Sequence, residues 1–100
     1  MERNYATMAR AFDVTGRVMM DKEVAKTLEL IKGKKETGIE TAGAIMRVTA
    51  ALVKSDPALA AELVEINTEK SAEEVAQMEE KEFVGSVHKA VAGIVINFFG

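Results

Sequence analysis

The chain has 100 residues, which suits one domain and is too short for two ordinary ones, and 48% of its residues are hydrophobic, enough for an apolar core. It has no cysteine, which excludes disulfides and thiolate metal sites. The formal net charge is −3 and the basic residues are scattered among acidic ones, so no nucleic-acid partner is expected.

Neither end of the chain carries the pattern of a targeting or membrane segment. No apolar run follows residues 1–5, so a secretory signal is not expected. The most apolar stretch, residues 90–99, is much shorter than the roughly 20 residues of a transmembrane helix. We therefore expect a cytoplasmic protein that does not bind membranes.

The first predicted helix depends on Tyr5, Met8 and Phe12, which recur at helical spacing. The pattern weakens over residues 14–16, which end in a glycine. Because glycine is a poor helix former, we expect a break or a kink there.

A second helix is predicted to begin after Asp21, whose carboxylate can cap the free N–H groups of the first turn. Its apolar face carries Val24, Leu28 and Ile31. Gly33 lies where a C-terminal glycine cap would fall, so the helix is expected to end there.

The third predicted helix starts with Thr37 and Glu40, which have the spacing of a capping box. One face then combines apolar and small side chains, widened by Ile45, Val48 and Leu52. Its members are Ile39, Ala42, Met46, Thr49, Ala50 and Val53. Small residues allow a neighbouring helix to approach closely, so we interpret this as the central helix of a bundle.

The fourth helix is predicted to begin at Pro57, with Asp56 as its N-cap, because proline fits the first turn of a helix. Leu59, Leu63 and Ile66 form its apolar stripe. A second capping box predicts a short fifth helix, with two apolar side chains facing inward. The box consists of Ser71 and Glu74, and the inward side chains are Val75 and Met78.

A long last helix is predicted to begin near Glu79 or Glu80. Its apolar face is broad and should be mostly covered; it carries Phe83, Val84, Val87, Val91, Ile94, Val95 and Phe98. No Asn-Gly or Asp-Gly turn separates alternating runs, which argues against a sheet. The sequence thus predicts an all-α fold: one domain over residues 1–100, a compact bundle of about five or six helices without a sheet.

No residue pattern of an enzyme or a metal site is present. His88 is the single histidine, and no Glu-x-x-His motif accompanies it, so we interpret it as a surface or boundary residue. The chain has no Gly-x-Ser-x-Gly elbow. Gly33-Lys34 lacks the upstream glycine of a phosphate-binding loop. We expect no catalytic residues, no cofactor and no metal.

Methionine is unusually frequent, with 6 in the chain. Methionine fills irregular gaps in cores, and it also lines adaptable binding grooves. Core filling is the favoured interpretation and groove lining the alternative for five of them: Met8, Met19, Met20, Met46 and Met78.

The second half of the chain carries short motifs in a definite order. Asp56-Pro57 precedes an Ala/Leu-rich helix that ends in Val-Glu-Ile at residues 64–66. A connector, Thr-Glu-Lys-Ser-Ala-Glu-Glu-Val, follows at residues 68–75. The remaining motifs are Met78, the pair Glu82-Phe83 and the aromatic pair Phe98-Phe99. Residues 56–99 thereby resemble the small tail assembly chaperones of long-tailed, siphovirus-like bacteriophages, whose connector has glycine where Glu69 stands.

The resemblance implies a non-enzymatic role in the host cytoplasm. Such chaperones bind the helical tape-measure protein, keep it soluble during tail assembly, and can self-associate. The implied mechanism is capture of amphipathic client helices in an apolar groove with acidic rims. The candidate partner-binding residues are Met46, Val53, Phe83, Val87, Val91, Ile94 and Phe98.

Two further functions fit the same composition. One is a helical structural subunit of a virion, such as a connector or tail-completion protein, which would form fixed interfaces. The other is a small regulatory protein-binding module.

Overall fold

Six α-helices account for nearly all of the chain that the computed structural model describes, namely residues 5–31 and 38–99, with side chains for residues 5–30 and 40–97. The described residues contain no strand, so the predicted all-α fold is confirmed. In chain order the helices are α1 (Tyr5–Met20), α2 (Lys22–Ile31), α3 (Gly38–Ser55), α4 (Pro57–Thr68), α5 (Ala72–Ala76) and α6 (Glu80–Phe99).

Helix α1 runs without interruption through residues 14–16, so the predicted break is absent. Val14 and Val18, one turn apart, are buried in the core on either side of Gly16, and their packing outweighs the weak helix propensity of one glycine. The predicted Tyr5 and Phe12 stripe lies on the opposite, exposed side of the helix.

Asp21 joins three helices. One carboxylate oxygen accepts hydrogen bonds from the Glu23 and Val24 backbone N–H groups at 3.1 and 3.2 Å, which confirms the predicted N-cap of α2. The other oxygen accepts from the Ser55 hydroxyl at 2.8 Å, at the end of α3. The side chain therefore caps one helix and ties the α1–α2 junction to another. The predicted Gly33 and Thr37 caps lie outside the described residues.

Helix α3 packs against α2, α4 and α6, but α4 packs against four helices, α1, α3, α5 and α6, so the central position predicted for α3 is shared with α4. The buried side of α3 is centred on Leu52 and Val48, with Ile45 beside them. Met46 and Ala50, on the predicted apolar face, are exposed. The side of α3 that enters the core is therefore the one with Ile45, Val48 and Leu52, and not the side with Met46 and Ala50 on which the predicted face was centred.

The predicted start of α4 is confirmed: the Asp56 carboxylate accepts a hydrogen bond from the Leu59 N–H at 3.1 Å, and Pro57 occupies the first turn. The helix ends at Glu69, which has φ 58° and ψ 28°, the left-handed conformation that glycine usually supplies. This residue turns the chain toward α5.

The second capping box is also confirmed. Ser71 Oγ accepts from the Glu74 N–H at 3.2 Å, and the Glu74 carboxylate accepts from the Ser71 N–H at 3.0 Å. Both hydrogen bonds lower the pKa of the Glu74 carboxyl, and the bond from the Ser71 backbone N–H has the larger effect. Val75 is buried and Met78 packs partly buried against the core, as predicted. Helix α6 then starts at Glu80.

Helix α1 contacts α4 and α2, and its contact with α4 includes ion pairs. Arg17 Nη1 donates to Glu62 Oε2 at 3.0 Å, and Arg10 Nη2 donates to Glu65 Oε1 at 3.1 Å. The Glu62 hydrogen bond raises the pKa of the Arg17 guanidinium. Helix α6 packs between α3 and α4, so grooves can form along both of its sides.

Candidate binding groove between α3 and α6

The polar side chains in the interior of the described part of the protein are all satisfied. Among the described residues, every buried side-chain nitrogen or oxygen has a hydrogen-bond partner. Thr49, the buried polar side chain in the core, donates its hydroxyl to the Ile45 carbonyl oxygen at 2.8 Å. Within the same residues, no three His, Asp or Glu side chains converge as metal ligands would.

An open apolar groove lies between α3 and α6, with a volume of about 550 Å³. Eight residues line it, and five of them are exposed. From α3 they are Met46, Thr49, Ala50, Val53 and Lys54, and from α6 they are Val84, Gly85 and His88. The lining is predominantly apolar, which makes it a surface that another molecule can cover.

The two walls carry large apolar side chains that the protein leaves in solvent. Met46 on α3 is 61% exposed, and Val84 on α6 is 38% exposed. Between them the surface is low, because Ala50 has a single methyl group and Gly85 has no side chain. A β-carbon built at Gly85 would meet no atom within 4 Å. The groove therefore has room for the side chains of an incoming helix.

Two nitrogen-bearing side chains, Lys54 on α3 and the half-buried His88 on α6, supply the polar part of the lining. No carboxylate is among the lining residues that the structure describes. The acidic rim implied by the resemblance stays a prediction, since Glu80 and Glu82 of α6 stand four and three residues before the lining residues Val84 and Gly85. His88 lies at a surface boundary, as predicted.

A second, smaller groove of about 270 Å³ lies on the other side of α6, over α4. Phe12 of α1, 73% exposed, forms one side, and Ile94 of α6 lies on the other, with Ile66 of α4 between them. Asn67 and Asn97 also line it, so it is more polar than the α3/α6 groove.

The candidate partner-binding residues fall in different places. Met46 and Val53 line the α3/α6 groove together. Phe83 is half-buried against the core, and Ile94 lines the second groove.

The other candidates are not at a surface. Val87 and Val91 are 0% and 1% exposed, so they are core residues with no surface to offer a partner. The side chain of Phe98 lies outside the described residues.

Sequence reasoning missed most of the α6 wall. Val84 was assigned to the covered face, and Gly85 and His88 were not considered as contacts. A signal existed, because His88 lies four residues after Val84 and three after Gly85, the two spacings that bring side chains together on one side of a helix. One of these residues is small, one polar and one apolar, a mixture typical of the boundary between the core and the surface. Val87 and Val91, beside them, mark the buried side of the helix.

No helix in the described part of the chain is long and apolar enough to cross a membrane. Comparison with known protein families, curated proteins and solved structures gives no significant match.

Proposed function

We propose that this protein is a non-enzymatic helix-binding protein, and that its client is the tape-measure protein of a phage tail, for which it acts as an assembly chaperone. The observation that carries the binding role is the open α3/α6 groove, where Met46 and Val84 stand exposed on either side of a low floor. The client identity is supported by the resemblance of residues 56–99 to tail assembly chaperones.

The shape of the groove supports an elongated apolar partner in preference to an enclosed small molecule. Most of its lining residues are exposed, so a bound molecule would remain partly in solvent. An amphipathic helix fits this arrangement because one apolar stripe enters the groove while its polar side faces water.

Methionine at the wall supports a chaperone in particular. Met46 has an unbranched, flexible thioether side chain that can repack against partners of different shape. A chaperone of a long helical protein must cover many non-identical helix turns, and an adaptable contact serves that purpose better than a rigid one.

The test is co-expression with a candidate tape-measure protein, followed by size-exclusion chromatography with light scattering. The wild-type protein should keep the long protein soluble and co-elute with it. Gly85→Leu should abolish co-elution because it fills the groove. Gly93→Leu is the matched control, since Gly93 lies on the same helix but lines the second groove.

Other outcomes would replace the proposal. If the tape measure precipitates while the wild-type protein runs alone as a monomer, the chaperone role fails. A fixed ring in solution, together with its presence in purified virions, would favour the structural subunit. Equal loss of co-elution in both glycine variants would show that client binding does not depend on the α3/α6 groove.

A further inference from the structure

We infer that the exposed stripe of α1, together with the second groove beside it, binds the same surface of a second copy of this protein and forms a two-fold symmetric dimer. This surface, which we call the α1 face, consists of Tyr5, Met8 and Phe12 and of the groove that Phe12 borders. The inference goes beyond the proposed function, because the second groove shares no lining residue with the α3/α6 groove and the dimer needs no client.

The stripe is a large apolar surface that a single chain leaves in water. Tyr5 is 87% exposed and Phe12 is 73% exposed, and Met8, between them in sequence, is 41% exposed. Because an aromatic side chain has about 150–250 Å² of surface, Tyr5 and Phe12 together expose on the order of 300 Å². An apolar patch of this size on a soluble protein is often an interaction site.

The α1 face carries both a protruding ring and a recess that can hold one. Phe12 stands on one side of the groove, whose volume is about 270 Å³. A cavity of about 150 Å³ is enough for a benzene ring. On the α6 side the groove is open, because a β-carbon built at Gly93 would meet no atom within 4 Å. Such a surface is complementary to itself, as a two-fold interface requires, since Phe12 of each copy can enter the groove of the other.

The charges of α1 lie away from this face. No charged side chain is among the described residues that line the second groove. At about 100° per residue, Arg10, Asp13 and Arg17 lie about 100–160° around the helix from Phe12. Both arginines donate instead to carboxylates of α4. Two identical copies can therefore meet at the α1 face without bringing like charges together at its centre.

The polar groups of the face also suit a second copy. Asn67 and Asn97 line the groove. An amide both donates and accepts, so two copies of the same amide can hydrogen-bond to each other. Charges of both signs stand near the rim, with Lys89 one turn before the groove on α6, and Glu69 and Lys70 just after α4. This mixture favours neither an acidic nor a basic partner.

Sedimentation velocity of the protein alone, from about 5 to about 500 µM, tests the dimer. The exposed stripe is smaller than the roughly 800 Å² that each partner covers in a stable complex, so we expect a Kd on the order of tens of micromolar. Raising the salt from about 50 to about 500 mM should leave this Kd unchanged or lower it, because salt screens only the repulsion between two copies of net charge −3.

Substitutions locate the interface. Phe12→Ser removes the ring and Gly93→Leu fills the recess, so each should raise the Kd at least about tenfold. Met46→Ser is the matched control, because it removes an exposed apolar side chain from the α3/α6 groove, and it should leave the Kd unchanged. Circular dichroism checks that all three variants fold.

A wild-type protein that stays monomeric at about 500 µM would overturn the inference. Dissociation by Met46→Ser and not by Phe12→Ser would assign self-association to the α3/α6 groove and would also overturn it. A Kd that rises on the order of tenfold with salt would show that charged contacts hold the dimer, against the inference.

The dimer and client binding can fail independently. Because the dimer leaves the α3/α6 groove open, Gly93→Leu should lose the dimer and still co-elute with the tape-measure protein. Gly85→Leu should keep the dimer and lose the client. Loss of the dimer in Gly85→Leu together with its retention in Gly93→Leu would place the interface at the α3/α6 groove and contradict the inference.

Discussion

Glu74 links the charge of one side chain to the start of a helix. Its carboxylate accepts the Ser71 N–H, and its own N–H is bound by Ser71 Oγ. The ionised form is the better acceptor, so these hydrogen bonds lower the pKa of Glu74 in the folded protein. A carboxylate with a lowered pKa stabilises the fold at every pH above its unfolded value, and this contribution is lost as pH falls through the folded value.

We expect Glu74→Gln to weaken the dependence of stability on acid. Glutamine can complete the same capping box but has no charge to titrate. Urea unfolding at about pH 7 and about pH 3 should show a smaller loss of stability on acidification in the variant than in the wild type. Glu73→Gln, in the same turn but outside the capping box, is the control. Identical acid sensitivity of the wild type and Glu74→Gln would contradict the linkage.

At the scale of elements, α3 has two sides with different roles. Leu52 is fully buried among the other helices, whereas Met46 on the same helix stands at the groove wall. Truncating a buried side chain loses the free energy of its transfer from water and leaves a cavity. Truncating an exposed side chain loses little transfer free energy and leaves no cavity.

Leu52→Ala should therefore lower the free energy of unfolding by about 2–5 kcal/mol. Met46→Ala is the matched change on the same helix and should alter it by less than about 0.5 kcal/mol. Chemical denaturation of the two variants measures both values. A large loss of stability for Met46→Ala would mean that the α3 wall is structural and does not lie open to a partner.

The helices themselves could be predicted from the sequence because their signals are local. The N-caps at Asp21 and Asp56, and the capping box of Ser71 and Glu74, each depend on residues within one turn. The spacing of apolar residues then identified the arc that enters the core on α2, α4 and α6, but on α1 it marked the exposed side.

Which part of that arc is covered depends on the other helices, and this could not be predicted. On α6, Val84 and Val87 are equally apolar, but Val87 is fully buried whereas Val84 is exposed. The Phe12 stripe of α1 remains exposed because Val14 and Val18 already hold the helix in place. The methionines divide in the same way. Met8, Met20 and Met46 are exposed at the surface, whereas Met19 and Met78 pack against the core, as the core-filling interpretation predicted.

At the scale of the whole molecule, α1 is attached less firmly than α3. Two of its side chains, Val14 and Val18, are fully buried, Met19 packs partly buried against the core, and ion pairs link its arginines to α4. Exposed ion pairs contribute little to stability, and segments with few buried contacts open first.

Native-state hydrogen exchange should therefore find the backbone amides of residues 8–20 less protected than those of residues 44–55. Mass spectrometry of peptides from these two ranges makes the comparison within one sample, so the folded state is the same for both. The opposite order, or equal protection, would show that α1 opens only with the whole bundle.

The left-handed turn at Glu69 bears on how relatives of this protein can diverge. The helix α4 ends because the backbone of Glu69 adopts a left-handed conformation at φ 58°, and the Glu69 side chain is not what ends it. Glycine and asparagine adopt this conformation more readily than glutamate. We therefore expect proteins with this fold to exchange glutamate, glycine and asparagine at this position. The positive φ should be kept in all of them, whereas the identity of the residue should say little about how closely two such proteins are related.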